Sequence, residues 1–318
     1  YYNKKILYPK NLNELKKIIR ASNNFGVCGN LRSFGDTCIN KKKLISLKKF
    51  PKIFNLDKKK GIINLSSNIL LIDVLKKIVP QDFILSVMPG SKYVTIGGII
   101  SNNVIGKNSE KNQLKYYIKE ITLLNSKNKI VTCSKKLNKN IFDLTIGGFG
   151  LTGTILSAKL ILKKIKNQLV KVNTVKFKSL NDFKVIASKK SRFSIAWIDS
   201  HSLNEDSFKG LFHYGEHNTL AKNSSSYIFR NNYMNFLEKI FLSLYIKSFI
   251  FSKMINFIYL NIYIRKKNQY FDKFFFPQDK WLDFNNRYKN GFFQVQFLIP
   301  EKKLALVINE ISIFFKIN

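Results

Sequence analysis

The chain has 318 residues, about two domains' worth, and its 45% hydrophobic content with only 15 Gly and 6 Pro excludes a disordered, collagen-like or low-complexity protein. Its 55 Lys and Arg against 19 Asp and Glu give a net charge of +36, the footprint of a nucleic-acid binder. Arg, however, stands only at positions 20, 32, 192, 230, 265 and 287; phosphate recognition favours Arg forks, so a drift toward Lys, Asn, Ile, Phe and Tyr explains the charge better and nucleic acid is not the expected partner.

Residues 1–165 read as alternating strands and helices. Ile6–Pro9 is a short strand, and Asn11 with Glu14 forms a capping box that opens a helix with Leu12, Leu15, Ile18 and Ile19 on one face. Phe25–Cys28 is a strand running into a loop. Ile53–Asp57 and Gly61–Leu65 are strands around a Lys-rich turn, and Leu70–Val79 is a helix stopped by Pro80. Tyr116–Asn125 and Lys129–Cys133 flank a Ser-Lys-Asn turn, a hairpin signature. Thr154–Leu162 alternates as a strand. After residue 165 glycine becomes rare and aromatics dominate. Val170–Phe177, Phe193–Asp199 and Phe292–Ile299 read as strands, and Asn181–Ser188 and Leu304–Phe315 as helices. Ile240–Ile264 is strongly apolar but carries Lys247 and Lys253. A spanning helix wants about 20 residues with few charges, so a buried or interfacial segment is expected.

Cys28, Cys38 and Cys133 form no CxxC pair and no even-numbered framework, so free thiols are expected. His201, His213 and His217 cluster without a nearby Cys, and no metal site is read. The chain starts at Tyr1 rather than Met and shows no basic stretch followed by an apolar run, so no signal peptide is read and an N-terminus upstream is expected.

Three stretches carry chemistry. Cys28-Gly29-Asn30-Leu31-Arg32-Ser33-Phe34-Gly35-Asp36-Thr37 packs small and polar residues after a strand, a loop able to turn backbone N–H groups toward one anion. Gly29 and Gly35 permit close approach, and Ser33 and Thr37 add hydroxyls. Pro89-Gly90-Ser91 leads to Val94-Thr95-Ile96-Gly97-Gly98 and on to Asn102. Gly147-Gly148-Phe149-Gly150-Leu151-Thr152-Gly153 places four glycines in seven positions, read as flanked by apolar strands. Three such stretches at strand ends suggest a large nucleotide cofactor gripped by backbone.

These residues resemble flavoproteins of the vanillyl-alcohol-oxidase/p-cresol-methylhydroxylase type, and within them the decaprenylphosphoryl-β-D-ribose 2-oxidase family. That family's Gly-Arg-Ser-Tyr-Gly-Asp appears as Leu31-Arg32-Ser33-Phe34-Gly35-Asp36, and its Val-Thr-Val-Gly-Gly as Val94-Thr95-Ile96-Gly97-Gly98. Its His-Gly-Lys-Asn appears as Ile105-Gly106-Lys107-Asn108, and its Gly-Gly-Asn-Gly-Leu-Thr-Gly as residues 147–153. Ser194–Asp199, Phe275–Asp279 and Phe292–Phe297 extend the resemblance through the second half. It implies an α+β fold: a two-lobed FAD-binding domain over residues 1–165, then a substrate domain over 166–318 with an antiparallel sheet and helices.

The resemblance implies non-covalent FAD, since the first loop has no His, held by Gly29 to Thr37, Gly90, Thr95, Ile96, Gly97, Gly98, Asn102 and Ile155. Lys107, Trp197 and Gln296 map onto substrate-binding positions; no catalytic residue is assigned. The implied reaction is hydride transfer from the 2-hydroxyl carbon of a polyprenyl-phosphoryl ribose, with a partner reductase completing the conversion toward arabinose for cell-wall synthesis. The aromatic stretch 236–263 corresponds to the family's lipid-side region, implying a cytoplasmic protein with peripheral contact at the inner membrane. Two departures matter: a turn glycine is Leu31 and the histidine beside the flavin is Ile105. The family's chain also continues past the Phe-Gln-x-Gln-Phe strand with a Lys and a Tyr near the flavin and a Cys in the substrate pocket, so an incomplete C-terminal part is expected. Three functions stay open: this oxidase, a flavin oxidoreductase of a soluble sugar or aldonolactone, and an inactive remnant.

Overall fold

The computed structural model describes residues 6–21, 24–33, 38, 40, 42–108, 111–188, 191–203, 207–217, 235–262, 268–277, 279 and 297–317. It opens with strand β1 (Ile6–Leu7), helix α1 (Leu12–Arg20), and strands β2 (Gly26–Cys28) and β3 (Leu44–Ser46). Asn11 starts α1 by accepting the Glu14 amide at 2.9 Å, and the Glu14 carboxylate accepts the Lys10 amide at 2.8 Å. The strands form a small parallel sheet in the order β1-β3-β2. Leu15 and Ile19 seat α1 on Ile45 and Leu47 beside it.

There follow β4 (Phe54–Asp57), β5 (Ile62–Ser66), α2 (Leu71–Ile78), β6 (Phe83–Leu85), α3 (Ile96–Ser101), β7 (Ile118–Leu124), β8 (Ile130–Ser134), α4 (Lys139–Thr145) and β9 (Thr154–Lys164). Their strands make an antiparallel sheet, β4-β5-β9-β7-β8, with β6 also on β9. Both read hairpins are present, β4–β5 and β7–β8. At the head of β9, Gly153 holds φ +140°, and a Cβ there would run into the Leu124 carbonyl oxygen, so only glycine lets β9 enter beside β7.

The second half supplies β10 (Leu169–Phe177), α5 (Leu180–Ala187), β11 (Phe193–Ile198), β12 (Gly210–His217), α6 (Phe236–Lys247), α7 (Phe249–Ile262), β13 (Asn268–Tyr270), α8 (Phe271–Phe275) and α9 (Leu304–Ile317). Its antiparallel sheet runs β11-β12-β10-β13. Antiparallel sheets with helices set apart from them make the chain α+β. The change of sheet falls between β9 and β10, yet one core crosses it: Ile63, Leu75, Ile100 and Leu160 share a buried cluster with Val170, Phe193 and Phe274.

The structure corrects two readings. The stretch around Gly97 and Gly98 is helical, because Thr95 caps it and Ile96, Ile99 and Ile100 bury one face. The 147–153 glycines follow helix α4, not a strand; Phe142 and Thr145 anchor that helix. Residues 292–296 lie outside the described residues, and 297–299 form no strand.

Candidate FAD site

The first wall of the site is built by the chain leaving β2. Gly29 lies so close to Thr95 that a Cβ would run into the threonine Oγ1. The Asn30 side-chain amide donates to the Tyr93 carbonyl at 2.7 Å, fastening this loop to the segment before α3. Leu31, at the family's glycine position, holds φ +51°, the left-handed region that is uphill for a residue with a Cβ. Among the described residues, the backbone N–H groups of Asn30, Leu31, Arg32 and Ser33 donate to no acceptor. Four donors beside the Arg32 guanidinium are what an anion asks of a loop.

The α3 wall behaves differently. Ile96 N donates to the Ile69 carbonyl at 3.0 Å, Gly97 N to the Ser67 carbonyl at 2.8 Å, and Gly98 N to Thr95 Oγ1 at 3.2 Å. Its amides are spent inside the protein, so this stretch offers surface, not donors. Gly97 lets α3 pack close on the Ser67 segment: a Cβ there would stand 3.0 Å from Ser67 Cβ.

Between these walls lies a cavity of about 700 Å³, within the range of small-molecule and cofactor sites. Gly29, Asn30, Leu31, Arg32, Ser33, Gly90, Thr95, Gly97, Gly98, Asn102 and Ile155 all line it. Ile96 does not; it is fully buried on the inner face of α3. Phe34, Gly35, Asp36, Thr37 and Gln296 lie outside the described residues. The third glycine stretch contributes Phe149, Gly150 and Gly153, with Phe149 left-handed at φ +49° and its N–H on the Ser101 carbonyl at 3.1 Å. Ile105 lines the cavity as well, an aliphatic group where the resembled family carries histidine.

Sequence reasoning missed several walls. Ser67 and Asn68, the polar break after β5, line the cavity, as do Lys48 and Lys52; the polar pair inside an apolar run was the available signal, whereas two lysines in a Lys-rich chain carry none. Asp279 also lines it, reaching Lys92 from 187 residues away. Lys92, itself buried, lies 3.7 Å from Asp279 and 3.9 Å from Asp272, and its backbone N–H donates to Asp279. Burial raises the Asp279 carboxyl above the usual range, against the opposing pull of Ser91, Lys92 and Arg32. The cluster ties the Pro89–Tyr93 loop to the second half of the chain.

The remaining candidates lie elsewhere. Lys107 does not line the cavity; its Nζ donates to the Phe275 carbonyl at 2.5 Å, and its own carbonyl accepts from Ser194 N at 2.8 Å. Trp197 packs edge-on against Tyr259 of α7 at 4.8 Å. His201 pairs with Ser252 and His213 with Thr174, each at 2.8 Å. His217 is pushed down to about 3 by burial, with Lys163 and Arg192 adding to it. Among the described residues, no three His, Cys, Asp or Glu are grouped to hold a metal ion.

Residues 4–134 match the family model for an FAD binding domain, and the glycine cradle, the unpaired amides and the cavity fit such a group. Over 130 residues, 40% of this chain and 28% of the relative, it is 28% identical to the decaprenylphosphoryl-beta-D-ribose oxidase of Mycolicibacterium smegmatis. It is 30% identical to cytokinin dehydrogenase 2 of Arabidopsis thaliana, over 34% of this chain and 22% of that one. With the L-gulonolactone oxidase of Scyliorhinus torazame it shares 26% identity, over 47% and 35% respectively. The matches span about a fifth to a third of these relatives' length. The FAD binding domain match thus falls on the N-terminal part, which this chain shares with relatives named as oxidases and dehydrogenases.

Proposed function

We propose that the protein is an FAD-dependent oxidoreductase that holds FAD without a covalent bond and oxidises a CH–OH group of a sugar-like substrate. The observation that carries this reading is the cavity itself: stretches as far apart in sequence as Cys28 and Gly153, singled out for backbone chemistry, converge on one void. The Asn30 to Ser33 amides and Arg32 hold the cofactor's phosphates, and Gly29, Gly97 and Gly98 let it lie against backbone. Ile155 and Ile105 supply apolar wall that excludes water. Bound there, FAD supplies a hydride acceptor for the carbon bearing the hydroxyl. The non-covalent reading rests on the sequence of the first loop, which has no histidine between residues 28 and 37; of the two cysteines in the described lining, the Cys28 thiol is pushed up to about 11 by burial. A thiol that stays protonated at neutral pH is a poor nucleophile.

For the substrate, we favour a polyprenyl-phosphoryl ribose oxidised at its 2-hydroxyl, on the resemblance and the matched ribose oxidase. An aldonolactone is the second reading, favoured by gulonolactone oxidases that match a longer share of this chain.

The test has two parts. The purified protein should show flavin absorption, and acid precipitation should release the flavin to the supernatant; flavin left in the pellet refutes non-covalent binding. Gly29→Ala should weaken FAD binding at least tenfold, and adding Thr95→Ala, which removes the colliding oxygen, should restore part of it. Then, without oxygen, a prenyl-phosphoryl ribose should bleach the blue flavin band. Bleaching by gulonolactone alone supports the second reading, and bleaching by neither overturns the sugar assignment.

A further inference from the structure

Donors without acceptors gather at the seam between the two halves of the chain. His217, the last residue of β12, stands opposite Val170 of β10. It is 6% exposed, and among the described residues neither ring nitrogen meets a hydrogen-bond partner. Its ring lies edge-on to Phe193 at 5.2 Å. The same Phe193 ring carries Lys163 of β9, with Nζ 5.2 Å from its centroid, and Arg192, with Cζ at 6.0 Å. Three polar groups thus meet at one ring from the last strand of the first sheet, the segment before β11 and the end of β12.

Neither cation is balanced. Among the described residues, Lys163 and Arg192 enter no ion pair. The charges acting on the cluster are positive: Arg192 on Lys163, and both on His217. Burial first and Arg192 second pull Lys163 down to about 8. An aromatic face gives a cation only a weak partner, and one face does not balance two. Buried polar side chains are nearly always hydrogen-bonded, so a buried imidazole beside two uncompensated cations marks a site whose acceptor comes from outside. Lysine abundance does not produce this. Arg stands at only six positions; of the three described, Arg20 sits on α1, Arg32 lines the flavin cavity, and Arg192 stands here.

The ligand follows from the donors: a guanidinium, an ammonium and an imidazole N–H. Tyr117, whose hydroxyl feels Arg192 and is held protonated by burial, adds an O–H. Phosphate matches two cations with two charges and offers several acceptor oxygens in a form that Arg recognises.

We propose that Lys163, Arg192 and His217 form a phosphate-binding site at the seam, taking inorganic phosphate or the phosphate group of a small organic ester. None of the three lines the flavin cavity, so the site stands or falls separately from the proposed oxidoreduction. Because its groups come from both sheets, bound phosphate ties the halves together.

The test is calorimetric titration of the full chain, saturated with FAD, with inorganic phosphate and with ribose 5-phosphate. Ionic strength is held constant with chloride, since a chain of +36 gathers anions without a site. Saturable binding of one phosphate per chain is expected, with a melting temperature that rises with phosphate concentration. The tighter of the two probes identifies the source, free phosphate or ester. Lys163→Gln and Arg192→Gln should each weaken binding at least about tenfold. Lys164→Gln, which removes the same charge on the opposite face of β9, and Arg32→Gln on the flavin loop should leave it within about twofold. His217→Phe should abolish the phosphate-dependent rise in melting temperature, yet be no less stable without phosphate, because it removes two unpartnered nitrogens. Arg192 is exposed, so its variant keeps the reading should a change at His217 disturb the fold. Equal weakening by Lys163→Gln and Lys164→Gln would reduce binding to overall charge and overturn the proposal. Loss in Arg32→Gln alone would place the anion on the flavin loop and overturn it too, as would the absence of saturable binding.

Discussion

Helices α2 and α7 both come from stretches rich in apolar residues and end with opposite polarity. Helix α2 buries Leu71, Ile72, Val74, Leu75 and Ile78 against the antiparallel sheet, leaving Asp73, Lys76 and Lys77 outside the core. Helix α7 turns Ser252 and Asn256 inward and Phe257 and Ile262 outward. The difference teaches that burial is set by what the neighbouring element offers. The sheet beneath α2 presents Ile63, Leu65 and Leu160, whereas α7 meets His201 and Asp199, groups that need polar partners. A buried polar group left alone costs about 1–3 kcal/mol, enough to fix which face of α7 points in.

The comparison predicts a large asymmetry between matched truncations. Leu75 is fully buried, so Leu75→Ala should cost about 2–5 kcal/mol, while Phe257→Ala in α7 should change stability by less than about 0.5 kcal/mol, as exposed substitutions do. Chemical denaturation of both variants checks this, and similar losses would show that α7's outer face is packed after all. A smaller effect is expected at Asn256. Asn256→Leu removes the side-chain donor to Asp199, leaving that carboxylate the His201 amide, and the acceptor of the Tyr245 hydroxyl, and should cost about 1–3 kcal/mol despite the gain in apolar character; a stabilised variant would mean the inward polar contacts are dispensable.

The smallest effect tests the cavity side, where the departure lies in the backbone. Leu31 holds φ +51°, at a cost of about 1–2 kcal/mol for a residue with a Cβ, partly offset by the greater unfolded-state freedom of glycine. Leu31→Gly should therefore raise stability by about 0.5–1 kcal/mol, read as a small rise in melting temperature. A fall would mean that the Leu31 side chain contributes more to the cavity wall than its strain costs.

Much of the frame was legible because its signals are local. Asn11 and Glu14 announce a helix start within four residues, and the Ser-Lys-Asn turn announces the β7–β8 hairpin. The glycine stretches marked where the chain approaches something closely. The partner of each close approach was not legible. Gly97 lies against Ser67 and Gly29 against Thr95, both contacts between segments far apart in sequence, and the stretch read as a cofactor-gripping chain at a strand end is a Thr95-capped helix. Lys107 was read as a ligand from its motif; its Nζ instead meets a carbonyl 168 residues away.

By itself the sequence determined many of the strand and helix starts and the three glycine stretches, since propensity, capping and side-chain period act within a turn of helix or a few residues of strand, while the α+β class came from the resemblance those stretches carry. The tertiary structure alone decided which amides find a partner among the described residues, that those of α3 do and those of Asn30 to Ser33 do not, that Asp279 reaches the cavity, and that α7 shows its apolar face. Each of these depends on which distant segment supplies the hydrogen-bond acceptor or the apolar surface, a choice made when the sheets pack and not before.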